Sequence, residues 1–367
     1  MFKTVINMCS NFLQNYPLHF SKRALPAVAM VVQKVISVRG CAAFASIGAA
    51  FFLSRRFVAQ QQDSNSLQHL IEYRYLNNKI YLTIYNHAFD LNGIPANFLS
   101  WFLKSLNLSH NNLDNLPSNM FAHLSNVKSL NLSYNILAAL SSDMFAHLSN
   151  LEELNLSHNN LTNLPQDIFS NLRNLKKLNL SSNQLMSLSQ DIFSNLHNLE
   201  ELDLSLNQRM SLSQDIFSNL RNLKKLKITF NKLDTLPQNI FSSLSNLEEL
   251  DLSLNKLESL SQDIFSNLHN LKKLDLLGNK LNTLPQNIFS SLSSLEWLDL
   301  SQNAFTAFPD SLLTLPSNCR CKIDGNRLSL ESARRFQQAI SERGELAPRI
   351  EGLTVYDRIK HHALSTG

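Results

Sequence analysis

The side chains best suited to binding a partner stand immediately before a series of asparagines that recur every 24 residues. Leu206, Phe230 and Leu254 are consecutive members of this set, and the predicted core does not need them. We expect them to form an apolar strip across three neighbouring strands, with Lys227 and Asp251 on its charged rim. Protein-binding hot spots combine an apolar centre with a polar rim in this way. The asparagines of the series are Asn111, Asn135, Asn159, Asn183, Asn207, Asn231, Asn255, Asn279 and Asn303.

One tyrosine and two histidines of the same set are a second candidate for contact with a partner. Tyr134 lies one repeat from His110 and one repeat from His158. The two histidines are two strands apart, about 10 Å, so they do not chelate one metal ion. No Ser-His-Asp constellation, Gly-rich phosphate loop or pair of catalytic carboxylates is readable in the sequence. We therefore predict a binding protein that is not an enzyme and that uses no cofactor or metal.

The repeating unit explains how these side chains would be positioned. In the unit that starts at Leu151, Leu154 and Leu156 alternate with polar residues, which predicts a short strand with its leucines inward. The chain then turns at Asn159, whose side chain can both donate and accept hydrogen bonds and so satisfy the backbone of stacked turns. A phenylalanine also recurs every 24 residues, from 121 to 289, and predicts an apolar spine.

The units resemble the 24-residue typical leucine-rich repeat, L-x-x-L-x-L-x-x-N-x-L-x-x-L-P-x-x-x-F-x-x-L-x-x, over residues 102–315. The resemblance implies an α/β repeat fold, a curved solenoid with a parallel sheet on its concave face. It also implies a protein partner on that face, because the family uses it to bind proteins. The array carries mixed charge rather than a basic stripe, so we expect no nucleic-acid binding.

Charged residues alternate from unit to unit just before each strand. Opposite charges would face each other across strands about 4.8 Å apart. A slip by one unit would oppose like charges, so the pattern favours a structural role in register over a charged ligand site. The charged positions are Glu152, Glu153, Lys176, Lys177, Glu200, Glu201, Lys224, Lys225, Glu248, Glu249, Lys272, Lys273 and Glu296.

Residues 1–62 form a basic head with seven Lys and Arg residues and no Asp or Glu. Within it, residues 24–53 begin with helical apolar spacing and end in an uninterrupted apolar run from Cys41 to Leu53. That run is shorter than the roughly 20 residues that a bilayer span requires. Three interpretations of a short helical head stay open: a segment that inserts into or lies on a membrane, a targeting leader, and a helical lid on the solenoid. We expect membrane contact through residues 24–53.

Residues 63–101 are predicted to form a degenerate N-terminal cap. The polar residues 60–66 indicate a linker, residues 67–76 a short helix, and residues 80–84 a strand.

Residues 316–367 are predicted to form a C-terminal cap and tail. Asn326 continues the asparagine series, and Ser329 would cap a helix that ends near Gly344. One face of this helix would carry Leu330, Ala333, Phe336, Gln337 and Ile340. The order Leu-Pro-Ser-x-Cys, then Gly-Asn-x-Leu-Ser and a helix, resembles the segment that ends the repeat domain of bacterial secreted effector ubiquitin ligases. No catalytic cysteine of that family can be carried over, so the resemblance implies an effector-like binder rather than a ligase.

The cysteines and glycosylation triplets bear on location. Cys319 and Cys321 form a C-x-C in which we expect the thiols to point to opposite faces, without a disulfide or a zinc site. The cysteine-rich caps of extracellular arrays are absent from the sequence, and glycans on the Asn-x-Ser triplets of the strands would block the binding face. Both features favour a reducing, non-glycosylating destination.

Three functions are consistent with these patterns. The first is an interaction scaffold of the bacterial effector type, membrane-associated or secreted into a host cell, or alternatively cytoplasmic. The second is a membrane-tethered, receptor-like binder. The third is a fragment or subunit of a ubiquitin ligase.

Overall fold

The computed structural model describes residues 57–62, 68–76, 79–85, 103–207, 210–344 and 347–351. Within them, one sheet of fourteen strands follows the order of the chain. The first three strands pair in antiparallel fashion, and every pair from β3 to β14 is parallel. The strands are β1 (Phe57–Gln62), β2 (Gln68–Leu76), β3 (Lys79–Tyr85), β4 (Leu103–Asn107), β5 (Ser129–Asn131), β6 (Glu153–Asn155), β7 (Lys177–Asn179), β8 (Glu201–Asp203), β9 (Lys225–Lys227), β10 (Glu249–Asp251), β11 (Lys273–Asp275), β12 (Trp297–Asp299), β13 (Arg320–Lys322) and β14 (Arg349–Glu351).

The N-terminal cap differs from the sequence prediction. The short helix predicted at 67–76 is wrong, because residues 68–76 form strand β2, which pairs with both β1 and β3. Ile71, Tyr73 and Tyr75 are strong β-formers at a spacing of two residues, and this local preference agrees with the strand. The strand predicted at 80–84 is confirmed within β3. Gln60 to Gln62, expected in a linker, belong to β1.

The helical head and its apolar segment, residues 24–53, lie outside the described residues. Among those that the structure does describe, no helix has the length and apolar composition to cross a bilayer.

The asparagine column closes each coil as predicted. The side-chain nitrogen of Asn159 donates to the Leu132 carbonyl of the preceding coil and to Leu156 of its own coil, both at 3.0 Å. Its side-chain oxygen accepts the backbone N–H of Leu137 at 3.1 Å. Asn159 is buried, so these bonds satisfy groups that water does not reach.

A second asparagine column, which the sequence interpretation overlooked, ties the coils together before each strand. Each member donates to a backbone carbonyl of the preceding coil at 2.9 Å. Its members are Asn150, Asn174, Asn198, Asn222, Asn246 and Asn270.

The convex side is irregular, and its core is the predicted phenylalanine spine. Single turns replace helices there, as where the Ile168 N–H donates to the Pro165 carbonyl. Phe169 and Phe193 stack with their ring centroids 6.4 Å apart, and neighbouring pairs repeat this geometry. All eight rings of the spine, from Phe121 to Phe289, are buried. Stacking therefore buries what one coil leaves exposed.

The C-terminal cap contains helix α1 (Leu330–Arg343), as predicted. The Ser329 hydroxyl accepts the Ser332 N–H at 3.1 Å, and Phe336 stacks on Phe308 at 4.6 Å. Leu330 was expected on the buried face, but it is exposed. Helical side chains tilt toward the N-terminus, so this first residue extends past the packed turn.

The two cysteines lie on the same side of β13, so the expectation of opposite faces is wrong. Residues i and i+2 of a strand share a face, and Cys319 and Cys321 are both buried and free. Burial raises the pKa of Cys319 to about 12, which keeps its thiol protonated and unreactive.

Candidate functional site

The residue before each asparagine adopts a left-handed backbone conformation. The φ angles are 60° at Leu206, 58° at Phe230 and 55° at Leu254, where side chains other than Gly, Asn and Asp are uncommon. The stacking of the coils holds this conformation. The Leu206 N–H donates to Thr229 of the next coil at 2.8 Å, and Phe230 and Leu254 repeat the bond. The other members in this conformation are His110, Tyr134, His158, Ser182, Gly278 and Gln302.

The predicted apolar strip is exposed, but it lies at the edge of the sheet. Leu206, Phe230 and Leu254 are 43%, 40% and 44% exposed. Each lies three residues beyond the end of its strand, β8, β9 or β10, in the turn that follows. The strip therefore borders the carboxyl-terminal edge of the parallel sheet rather than lying on the strands themselves. The core is complete without it, because Leu204, Ile228 and Leu252 fill the inward positions.

The charged rim places an available amine beside the strip. Lys227 is exposed and lies in register between Asp203 and Asp251. It forms no ion pair with any residue that the structure describes. Both aspartates accept hydrogen bonds within their own turns. Asp251 accepts the Ser253 N–H at 3.0 Å, and Asp203 accepts the Ser205 N–H at 2.9 Å.

The second candidate forms a stack of three rings at the other end of the same row. The Tyr134 ring centroid lies 4.3 Å from that of His110 and 4.0 Å from that of His158, with the planes nearly parallel. Tyr134 is 47% exposed, so the stack offers ring edges to solvent. Within the described part of the chain, no three His, Cys, Asp or Glu side chains are grouped to hold a metal ion.

The charge ladder bridges successive strands in two alternating rows. In the outer row, Lys176 pairs with Glu152 at 2.8 Å, and in the inner row Lys177 pairs with Glu201 at 3.3 Å. Hydrogen bonds from Lys128 and Lys176 lower the pKa of Glu152 to about 2. The next three junctions follow the same alternation, with Lys224–Glu200, Lys225–Glu249 and Lys272–Glu248, whereas Lys128 joins Lys176 on Glu152 in the outer row.

The last junction of the inner row is a cation–π contact instead of an ion pair. Glu249, in register with Lys273 on the preceding strand, pairs with Lys225. The Lys273 amine instead lies 4.6 Å from the ring centroid of Trp297, its partner on the following strand. A cation over an indole replaces the ion pair at this junction. These partners lie within the array, which accords with the structural role predicted for the ladder.

The family model for the leucine rich repeat matches overlapping segments at 103–161, 149–208, 207–257, 221–281, 245–305 and 269–328. Together they span more than half of the chain. The chain belongs to the leucine-rich repeat family. No curated protein matches the chain.

Solved structures place the fold among known leucine-rich repeat proteins. A chain of the TLR13–ssRNA13 complex is 31% identical with a TM-score of 0.56, over 60% of this chain and 32% of that one. This chain thus matches about a third of that protein. A chain of the octameric complex of Latrophilin 3, Unc5D and FLRT2 is 22% identical with a TM-score of 0.57, over 74% of each chain. This second likeness concerns the fold alone. The expectation of no nucleic-acid binding stays a prediction, since one similar structure contains RNA.

A row of lysines beside the strip escaped the sequence interpretation. Lys232, Lys256 and Lys280 follow the leucine-rich repeat asparagines directly, in three consecutive Asn-Lys-Leu triplets. All three are exposed. The 24-residue recurrence of the triplet is visible in the sequence. The placement of its lysine next to the strip depends on the conformation of the turn that joins the strip residue to the lysine.

Three carboxylates lie side by side on the successive strands β10, β11 and β12 of the leucine-rich repeat sheet. Asp275 pairs in register with Asp251 on one side and Asp299 on the other. Burial, together with these two neighbours, raises the pKa of Asp275 to about 6, although its oxygen accepts the Leu277 N–H. Downstream of Lys227 the concave side is therefore acidic, whereas the outer side of the strip is basic.

Proposed function

We propose that this protein is an interaction scaffold whose protein partner covers the strip of Leu206, Phe230 and Leu254. The observation that carries the proposal is that three consecutive coils expose large apolar side chains at one position, while separate residues complete the core. Covering such a strip removes apolar surface from water at no cost to the fold. Lys227 and Asp251 form the charged rim of the contact.

Tyr134 and His158 extend the proposed contact surface along the same row. Their rings are held by stacking, so a partner would meet a preorganised surface and lose little side-chain entropy. We assign them to the periphery because Ser182 separates them from the strip.

The effector-type role and the head belong to the same proposal. Support for the former is the residue order that closes the array, with Gly325 and Asn326 before a helix capped by Ser329. Support for membrane contact through residues 24–53 is the sequence alone, which combines basic charge with an apolar run. A membrane-associated or secreted protein, or alternatively a cytoplasmic one, would fit these features.

A receptor-like binder is the second candidate function. It is favoured by the 31% identity to the TLR13 chain of the TLR13–ssRNA13 complex. Protease protection of the array in vesicles that contain the full chain would support a tethered receptor, and complete digestion would contradict it.

The test of the scaffold compares partner capture by the full chain and by a Phe230→Ala, Leu254→Ala variant. Captured proteins should fall by about tenfold or more, as truncation of hot-spot residues does. The melting temperature should stay within a few degrees, since both side chains are largely outside the core.

The matched control is an Ile136→Ala, Met186→Ala variant. Ile136 and Met186 are 46% and 61% exposed and lie outside the strip, so their truncation should leave capture unchanged. Equal capture by the wild type and the Phe230, Leu254 variant would place the binding site elsewhere.

A further inference from the structure

The strip of Leu206, Phe230 and Leu254 has lysines on its outer side and, on its concave side, a row in which aspartates outnumber lysine. On its outer side, Lys232 and Lys256 stand two residues after Phe230 and Leu254, and neither forms an ion pair among the described residues. The third member, Lys280, has only a 3.7 Å contact with Glu258, and both side chains are more than half exposed. On the concave side, the strip borders Asp203 and Asp251, with Lys227 in register between them.

The coils hold the lysine row in place. The backbone N–H of Lys256 donates to Leu233 of the preceding coil at 2.9 Å, and that of Lys280 donates to Leu257 at the same distance. Successive lysines are therefore one coil apart, as the strip residues are. Acidic residues are not absent from this side, but Asp234 and Glu258 stand two residues farther along the chain. On this outer side, Lys232 and Lys256 are the charged residues that follow the strip most closely in the chain.

The spacing of the coils distinguishes a helical partner from an extended one. Three strip residues on strands about 4.8 Å apart span roughly 10 Å. On a helix, residues i, i+4 and i+7 span about 10.5 Å along the axis. Three same-face residues of an extended peptide span about 13.6 Å, which overshoots the strip by nearly one coil. A helix laid along the solenoid axis thus matches three coils.

We infer that the strip receives an amphipathic helix of the partner that carries acidic residues on one flank. Resting on the proposed scaffold function, this inference specifies the partner's chemistry. The apolar residues of the helix cover Leu206, Phe230 and Leu254, and its carboxylates meet Lys232, Lys256 and Lys280. On the concave side, Asp203, Asp251 and Asp275 outnumber Lys227, so the reverse orientation would bring the acidic flank against like charges. Charge thus selects the partner and sets its direction.

The probe is a fluorescein-labelled synthetic peptide of about 15 residues, long enough to form a helix. It has leucines at i, i+4 and i+7 and glutamates on one flank; a second peptide carries lysines in place of the glutamates. Fluorescence anisotropy with the full chain should give binding of the glutamate peptide about tenfold tighter than that of the lysine peptide. Equal affinities, or no measurable binding of the glutamate peptide, would overturn the inference.

A charge-reversed variant, Lys232→Glu with Lys256→Glu, should lose about tenfold in affinity for the glutamate peptide and gain affinity for the lysine peptide. Its matched control is Arg173→Glu with Arg221→Glu, which makes the same change in charge at exposed positions before the strands. The control should bind like the wild type. Circular dichroism melting of both variants checks that the fold is retained.

Two further outcomes separate this inference from the proposed function. If Phe230→Ala, Leu254→Ala abolishes peptide binding but the lysine reversal does not, the strip stands and the acidic flank is wrong. If neither variant changes binding, both the strip and the flank are wrong. Binding of a labelled uridine RNA that is lost on the lysine reversal, without peptide binding, would also overturn the inference in favour of nucleic acid.

Discussion

Leu254 lies over Gly278, at the downstream end of the apolar strip. A methyl group in place of the Gly278 hydrogen would come 2.8 Å from Cδ2 of Leu254. The glycine also has a left-handed backbone, with φ of 67°. The strip therefore ends at a coil that has no side chain at the strip position, and Leu254 occupies the space above Gly278.

Gly278→Ala should displace Leu254 and destabilise the array. A non-glycine residue in this conformation costs about 1 kcal/mol, and the Leu254 side chain must move to relieve the contact. We expect a lower melting temperature and weaker binding at the strip. The control is Ser182→Ala, because Ser182 has the same conformation but already carries a Cβ atom. An unchanged melting temperature for Gly278→Ala would contradict the contact.

Asn159→Ala should destabilise the protein by about 1 to 3 kcal/mol, because it leaves the buried backbone N–H of Leu137 without an acceptor. The Asn159 side-chain oxygen accepts that N–H, and its nitrogen donates to the Leu132 carbonyl, which keeps a second bond from Asn135. The adjacent Asn160 is exposed and serves as the control, since Asn160→Ala removes only a 3.5 Å contact with Gln184. Denaturant midpoints measure both variants, and equal midpoints would refute the role of the column.

Ser261→Pro should stabilise the array by about 0.4 to 1 kcal/mol. The equivalent positions one unit away are Pro237 and Pro285, so the backbone of this turn accommodates proline. The Ser261 hydroxyl is buried without a hydrogen-bond partner, and its loss costs nothing. Thermal melting checks the expected rise. Ser266→Pro should do the opposite, because it removes the N–H that donates to Asp263 at 3.0 Å.

Asp275→Asn should raise stability near pH 7 by about 1 to 3 kcal/mol and have little effect near pH 3. The folded protein holds the proton of Asp275 more tightly than the unfolded chain, with a pKa of about 6 against 3.8. The stability that Asp275 contributes is present below pH 3.8 and is lost as the pH rises through about 6. The amide removes the buried charge between Asp251 and Asp299 and can still accept the Leu277 N–H. Urea unfolding at both pH values measures the difference.

Glu152→Gln provides a comparison of opposite sign. Lys128 and Lys176 lower the pKa of Glu152 to about 2 from 4.5, so its contribution is present above 4.5 and is lost as pH falls toward 2. Glu152→Gln should therefore lower the free energy of unfolding near pH 7, by less than about 1 kcal/mol because the ion pair lies at the surface. Any gain in stability near pH 7 from Glu152→Gln would contradict the ladder.

The sequence predicted the solenoid because its period reports directly which residues face inward. Leu154 and Leu156 alternate with polar neighbours. An asparagine recurs at the position of Asn159 in each unit, where a buried turn requires a side chain that both donates and accepts hydrogen bonds. Helix α1 was equally readable from its cap at Ser329 and its stop at Gly344. Strand β2 was misread because periodicity over a short segment is ambiguous without knowledge of its pairing partner.

By itself, the sequence determined the repeat, the register of the strands, the asparagine column and the identity of the apolar residues outside the core. These follow from the spacing within one unit, which each coil repeats. Only the tertiary structure decided that Leu206, Phe230 and Leu254 lie at the sheet edge, with Lys232 and Lys256 on their outer side. The reason is that hydrogen bonds between stacked coils impose a left-handed turn that neither leucine nor phenylalanine prefers. A side chain's direction there is set by the coil next to it, which lies 24 residues away in the chain.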